Sequence, residues 1–193
     1  MLLDYPAAWL AVGVVSMLLG VAGLRGGFAD RPKEPLPAAT LNAAFDAPPW
    51  RITIHGVRLF DDLPPLKLQN DGDRWVVVVA TVENLSKESL SLFNSAIWIQ
   101  GVEGLLTQKV SEVRYASTGE FTVLLHPNVP ERVGYFWEQA AKAPIPQTAE
   151  VGLFGATYHD FTRGENVYGW IPDLNGRPLG YLKVPVEDRR EKK

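Results

Sequence analysis

The sequence predicts an all-β domain, a two-sheet β-sandwich, preceded by a single N-terminal transmembrane helix. Three observations carry that expectation. Short apolar runs of strand length recur from Trp50 to Val186, with turn signals between them and no helix-period stretch to serve as a crossover. Fifteen prolines and seventeen glycines in 193 residues punctuate those runs. One uncharged stretch, Pro6 to Leu24, stands apart, with Asp4 before it and Arg25 after it.

The uncharged stretch sets the organisation. From Tyr5 to Leu24 about 20 residues would rise roughly 30 Å as a helix, which matches the hydrocarbon core of a bilayer. Pro6 suits the first helical turn, Asp4 or Tyr5 the cap, and Trp9 the membrane interface. Gly13, Ser16, Gly20 and Gly23 follow at spacings of three, four and three, which places them on one stripe. Small residues in register let another helix approach closely, so the expected partners are the lipid bilayer and transmembrane helices of a larger membrane complex. Gly20-Val21-Ala22 offers a small-x-small cleavage site. No Lys or Arg precedes the run, however, and it exceeds the roughly 7–15 apolar residues of a signal core, so a retained anchor is expected. The chain has no cysteine, which excludes a thioether-linked lipid, disulfides and thiolate metal sites.

Residues 1–25 are thus expected to be the anchor, 26–49 a proline-rich tether, 50–186 the sandwich and 187–193 a charged tail. The tether, rich in Pro, Gly and Ala, lacks a sustained period and should be partly extended. In Trp50–Phe60, Ile52 and Ile54 alternate with Arg51, Thr53 and His55, the mark of a strand with one wet face, and Gly56 interrupts as a bulge. Asp61 to Asp73, with Pro64-Pro65 and Asp71-Gly72-Asp73, is loop and turn. Arg74 to Asn84 is the strongest strand, and its unbroken valines predict a central position buried on both faces. Asn84 to Ser89 is expected to be a hairpin connection to Leu90–Phe93, and Ala96–Gln100 a short strand. Val110–Tyr115 and Glu120–Leu125 follow as short strands. In Arg132–Trp137, Val133, Tyr135 and Trp137 share one face. Ala149–Phe154 and Tyr181–Val186 complete the set, with Asn175-Gly176 as a hairpin signal.

The hairpin region carries a resemblance. Trp75-Val76-Val77-Val78-Val79-Ala80-Thr81-Val82-Glu83-Asn84, followed by Ser86, Lys87, Glu88 and Ser89, resembles the central hairpin of the DUF4352-type, immunoglobulin-like exported domains. The wider layout, from Trp50–Val57 through Leu125–Pro130 to Trp137-Glu138, is similar to that of single-pass actinobacterial membrane proteins bearing such a domain. The resemblance implies an immunoglobulin-like sandwich and export. It implies no catalytic residues.

Chemistry-bearing patterns are sparse. The formal net charge of −3 argues against general nucleic-acid binding. His55, His126 and His159 lie far apart with no zinc spacing, and Asp71-x-Asp73 lacks the later ligands of a calcium loop. Asp61-Asp62 and His159-Asp160 fit turn chemistry. No G-x-S-x-G elbow or glycine-rich phosphate loop occurs. No catalytic, cofactor or metal residue is nominated, and the chain is expected not to be an enzyme. Trp50, Trp75, Trp98, Trp137 and Trp170 fall one per strand region, as core and sheet packing would place them. Tyr158, Phe161, Tyr168 and Trp170 cluster around a polar loop and form the candidate partner surface.

Topology draws two opposing signals. Arg25, Arg31 and Lys33 follow the apolar run, which by the positive-inside rule favours a cytoplasmic domain. The resemblance implies the opposite, and an extracytoplasmic domain on the cell membrane is expected. The leading functional expectation is a non-catalytic accessory subunit of a membrane assembly, with a respiratory-chain supercomplex as the host that the resemblance suggests. The alternative is a freestanding exported binding protein for a small ligand, peptide or cell-wall fragment. Replacing Gly13, Gly20 and Gly23 together by Leu is expected to release the protein from its partner. Unchanged co-purification after that triple change would refute the helix-packing stripe.

Overall fold

The computed structural model describes residues 16–17, 36–122, 124–160, 168–173 and 177–190. The chain divides into two units, Met1–Pro35 and Leu36–Lys193. Of the small-residue stripe only Ser16 is described, helical and exposed beside Met17; Gly13, Gly20 and Gly23 lie outside the described residues. Among the described residues no helix is long and apolar enough to cross a membrane.

The second unit is all-β. Its strands are β1 (Ala44–Ala47), β2 (Trp50–Phe60), β3 (Arg74–Asn84), β4 (Ile97–Gln100), β5 (Glu112–Tyr115), β6 (Pro130–Gln139), β7 (Thr148–Leu153), β8 (Ala156–Asp160), β9 (Tyr168–Pro172) and β10 (Gly180–Asp188), with a 3-10 turn at Leu92–Ser95. In the larger layer β2, β3, β6 and β5 run antiparallel in that order, and β4, β7 and the first part of β10 form the smaller layer. β10 joins the two. Gly180–Pro185 pairs antiparallel with β7, and Val186–Asp188 then pairs parallel with Val57–Leu59 of β2. The side chains between the layers form one core, with Ile52, Ile54, Val57, Leu59, Val76, Val78, Tyr135 and Trp137 from one layer and Ile97, Ile99, Val151, Leu153, Leu182 and Val184 from the other.

β3 is the central strand that its valines predict, and all of Arg74–Ala80 is buried. Even-numbered Val76, Val78, Ala80 and Val82 face the main core. Odd-numbered Trp75, Val77 and Val79 point the other way, where they would meet water but for the 61–70 segment. Leu66, with Leu63, Leu68, Phe60 and Phe136, covers them in a second, smaller cluster. Trp75 and Phe136 meet edge to face at 6.1 Å.

The register of β2 slips between Ile54 and Gly56, so His55 is the extra residue of a bulge. The slip divides the far edge of β2 between two partners. β1 pairs with Trp50–Thr53 before it, and β10 pairs with Val57–Leu59 after it. β1 lies in the stretch that reads as tether from its composition. Residues 37–39 also pair with the domain: the Ala39 N–H donates to the Tyr181 carbonyl at 2.8 Å, and the Tyr181 N–H donates to that of Pro37. Pairing that joins Ala38 to Tyr181 across the chain leaves no local pattern in a short proline-rich stretch.

Two short elements also differ from expectation. Asn84–Ser89 does not turn β3 back onto a neighbouring strand, because β2 and β6 already occupy both edges of β3. The chain crosses instead to the smaller layer, with Leu92–Ser95 as a 3-10 turn. Asn84 fixes this crossing: its side-chain amide donates to the carbonyls of Glu88 and Leu125, and its Oδ1 accepts from the Ser86 N–H. In Glu120–Leu125, Phe121 and Leu125 make only isolated bridges, to Arg114 and Leu90.

At one end of the sandwich a buried polar network ties two loops to β3 and β6. Arg74 donates to Gln139 Oε1 at 2.6 Å and to the carbonyls of Ala143 and Pro144; Gln139 in turn donates to the Glu103 carbonyl. Burial draws the Arg74 pKa down, and the carbonyls and amide replace the water it has lost. Replacing Ile54 by Ala is expected to cost about 2–5 kcal/mol, because Ile54 is 2% exposed within the main core. Val129→Ala, at a site 41% exposed, should stay within about 0.5 kcal/mol. Urea unfolding of the two variants checks the contrast.

Candidate functional site

The histidines do not converge. The Ile54–Gly56 bulge sets His55 apart from both neighbours, and its ring lies between Asn42 Oδ1 at 3.0 Å and Thr81 Oγ1 at 2.8 Å. His126 pairs with Ser89 through Nδ1. Among the described residues no three His, Asp or Glu side chains come together as a metal site would need. The acidic turn is occupied by the fold itself. Asp73 accepts from the Ala141 N–H at 2.8 Å and from the Asn70 amide at 2.9 Å, and those bonds, the Asn70 one first, hold its pKa below the usual carboxylate value. Asp188 is drawn down to about 2 by its hydrogen bond with Arg190, whose guanidinium also reaches Asp61 at 4.0 Å.

The aromatic residues divide. Trp50, Trp75 and Trp137 are buried structural residues, and Trp137 stacks on Tyr135 with ring centroids 6.4 Å apart. The candidate partner surface falls on β8 and β9, which pair as a separate two-stranded ribbon with Tyr158 opposite Trp170. Their rings meet edge to face at 5.4 Å. Trp170 also packs against the main core, so it anchors the ribbon, whereas Tyr158 is 46% exposed. Tyr168 lies opposite Asp160 at the far end of the ribbon. Phe161 lies outside the described residues.

Composition and strand pattern did not single out two surface grooves. The first, about 220 Å³, opens on the outer face of the larger layer. Phe60, Leu63, Leu66, Val77, Val79 and Phe136 line it, and Gly134 keeps its floor low: a Cβ there would sit 2.8 Å from the Phe136 ring. Arg114 stands at its rim, bonded to Glu112 and to the Gly119 carbonyl. The second, about 280 Å³, lies on the outer face of the smaller layer between Trp98 and Tyr181. Neither was legible in the sequence, because each depends on which strands become neighbours.

A closed core between two layers, with grooves on their outer faces, defines an all-β sandwich domain. No family model matches the chain, and no curated protein does. It is similar to an uncharacterised β-sandwich protein of Clostridium difficile at 12% identity and a TM-score of 0.47, covering 80% of this chain and 97% of that one. It is also similar to a candidate lipoprotein of Bacillus subtilis at 10% identity and a TM-score of 0.42, where it covers 76% of this chain and 39% of that one.

His55 supplies a pH test of the site's electrostatics. Burial first, then the nearby Arg132 and Arg58, hold its pKa below the ordinary imidazole value. The unfolded chain therefore takes up this proton at a higher pH than the folded one. The contribution of His55 is complete above about pH 6.5 and is lost as the pH falls through the folded value. His55→Gln should lose less stability than the parent between about pH 7.5 and pH 5.5. Equal changes in the urea midpoint over that interval would show that His55 is uncoupled from folding.

Proposed function

We propose that this chain is a non-catalytic, membrane-held interaction subunit, docked in a larger membrane assembly by its N-terminal helix and by the face of its sandwich. The observation that carries the reading is the apolar groove over Val77, Val79 and Gly134. Leu66 already closes over much of Val77 and Val79, and the cleft left open beside Gly134, walled by Phe, Leu and Val, suits an apolar side chain from a partner. The uncharged Pro6–Leu24 run supports the membrane attachment. The immunoglobulin-like character, the extracytoplasmic placement and a respiratory-chain supercomplex as host belong to the same proposal, and all three come from the DUF4352-type resemblance.

Extraction in mild detergent followed by native electrophoresis and mass spectrometry tests it. The chain is expected to migrate with one large complex, and migration alone would overturn the reading. Ala116 is exposed and lines the groove, so Ala116→Glu places a charge there without disturbing the core. That change should weaken co-migration about tenfold, equivalent to about 1.4 kcal/mol, at unchanged thermal stability.

A further inference from the structure

We propose that the outer face of the smaller layer is a carbohydrate-binding notch, which seats a neutral pyranose ring between Trp98 and Tyr181. The strand register builds it. Gly152 pairs with Trp98 on one side and with Tyr181 on the other, so these three form a single cross-strand row. Val151, Leu153, Ile99 and Leu182 turn inward to the core, which leaves the row on the opposite face. Two aromatic residues therefore flank a residue with no side chain. The strands carrying them are two spacings apart, roughly 9.5 Å. A saturated ring touching both walls needs about 3.5–4.0 Å to the carbons on each side, so the gap admits one ring.

The floor is shaped for this. A Cβ at Gly152 would lie 3.3 Å from the Phe154 ring and 3.4 Å from Pro178. Those two side chains pack over the glycine and form the floor, and the space left open lies towards Glu150 and Gln100, with Leu36 at its edge. Trp98 meets the Phe154 ring edge to face at 6.2 Å.

A second row selects the class of ligand. One rung along the same face, Glu150 pairs with Gln100 and with Lys183. All three are exposed, and neither Glu150 nor Lys183 makes an ion pair among the described residues. An acceptor, an amide that both donates and accepts, and a donor thus stand roughly 6.8 Å from the aromatic row. Sugar hydroxyls donate and accept at once, so a neutral polyhydroxylated ring satisfies the whole row. A cation would meet Lys183, an anion would meet Glu150, and an apolar side chain would use none of the three, which would stay hydrated beside it. The notch lies on a different layer from the groove at Gly134, so this inference goes beyond the docking role and stands apart from it.

The test uses the full chain in a zwitterionic detergent without a sugar head group, titrated with the N-acetylglucosamine tetramer and with cellotetraose. At least one should bind saturably by calorimetry and change the tryptophan emission. Tyr181→Ala and Trp98→Ala should each weaken binding by up to about tenfold. The exposed pair Gln100→Ala with Glu150→Ala should weaken it at an unchanged urea midpoint, while Tyr158→Ala, on the β8–β9 ribbon, should leave it intact. No saturable signal from either sugar up to about 10 mM would overturn the proposal. So would sugar binding that survives all four notch substitutions. An arginine-rich peptide that binds in place of the sugars and is lost in Glu150→Ala would show a cation–π site instead.

Discussion

Seven consecutive residues of β3, Arg74–Ala80, are withdrawn from water, and both faces of the strand need cover as a result. The inner face finds it in the smaller layer, through Ile97, Ile99, Val151 and Leu153. The outer face finds it in the 61–70 segment, with Leu66 as its buried centre. Burying a strand twice is tolerable only if its backbone is fully bonded, because an orphaned peptide group there costs more than a valine returns. β2 and β6 meet that condition by pairing along almost all of β3. At roughly 1.5–3 kcal/mol for each buried valine, this strand supplies much of what holds the domain together.

The two layers are joined by strands that belong to both. The bulge at His55 frees the second half of β2 for β10, and β10 reaches it only after leaving β7. Residues 37–39 fill the place beside Tyr181 that β10 would otherwise leave open. Polar side chains then secure the joints. Asn84 holds the crossing out of β3, Arg74 with Gln139 holds the loops at the opposite end, and Tyr135 Oη donates to the Phe93 carbonyl at 2.8 Å under the 3-10 turn. Each of these groups is buried, and each is satisfied within the protein.

What the sequence made legible was local. The valine run marked β3, the alternation in Trp50–Phe60 marked β2 with its interruption close to the true bulge, and Val133, Tyr135 and Trp137 share the buried face their spacing implies. What it hid was long-range. β1 is four residues inside a proline-rich stretch, and no period survives in so short a strand. The crossing after Asn84 reads as a hairpin until both edges of β3 are known to be taken. The row Trp98–Gly152–Tyr181 draws on three separate strands, and only their register sets a glycine between two aromatic residues. Of the residues chosen as a partner surface, Trp170 had the composition of a contact residue but is half spent on the core, which aromatic content alone does not distinguish.

The pairing of β10 with β2 also governs when the domain is able to assemble. Arg58 and Glu187, which form an ion pair across that junction, are separated by 129 positions. At a ribosomal rate of about 5–20 residues per second, roughly 6–26 s pass between the emergence of one and the other. Until that interval ends, the two layers lack the strand that joins them. The 61–70 segment, encoded between β2 and β3, is already made by then and covers the outer face of their hairpin as soon as it forms. The growing chain is left with one adhesive side instead of two, which lessens its hazard of clumping before synthesis is finished.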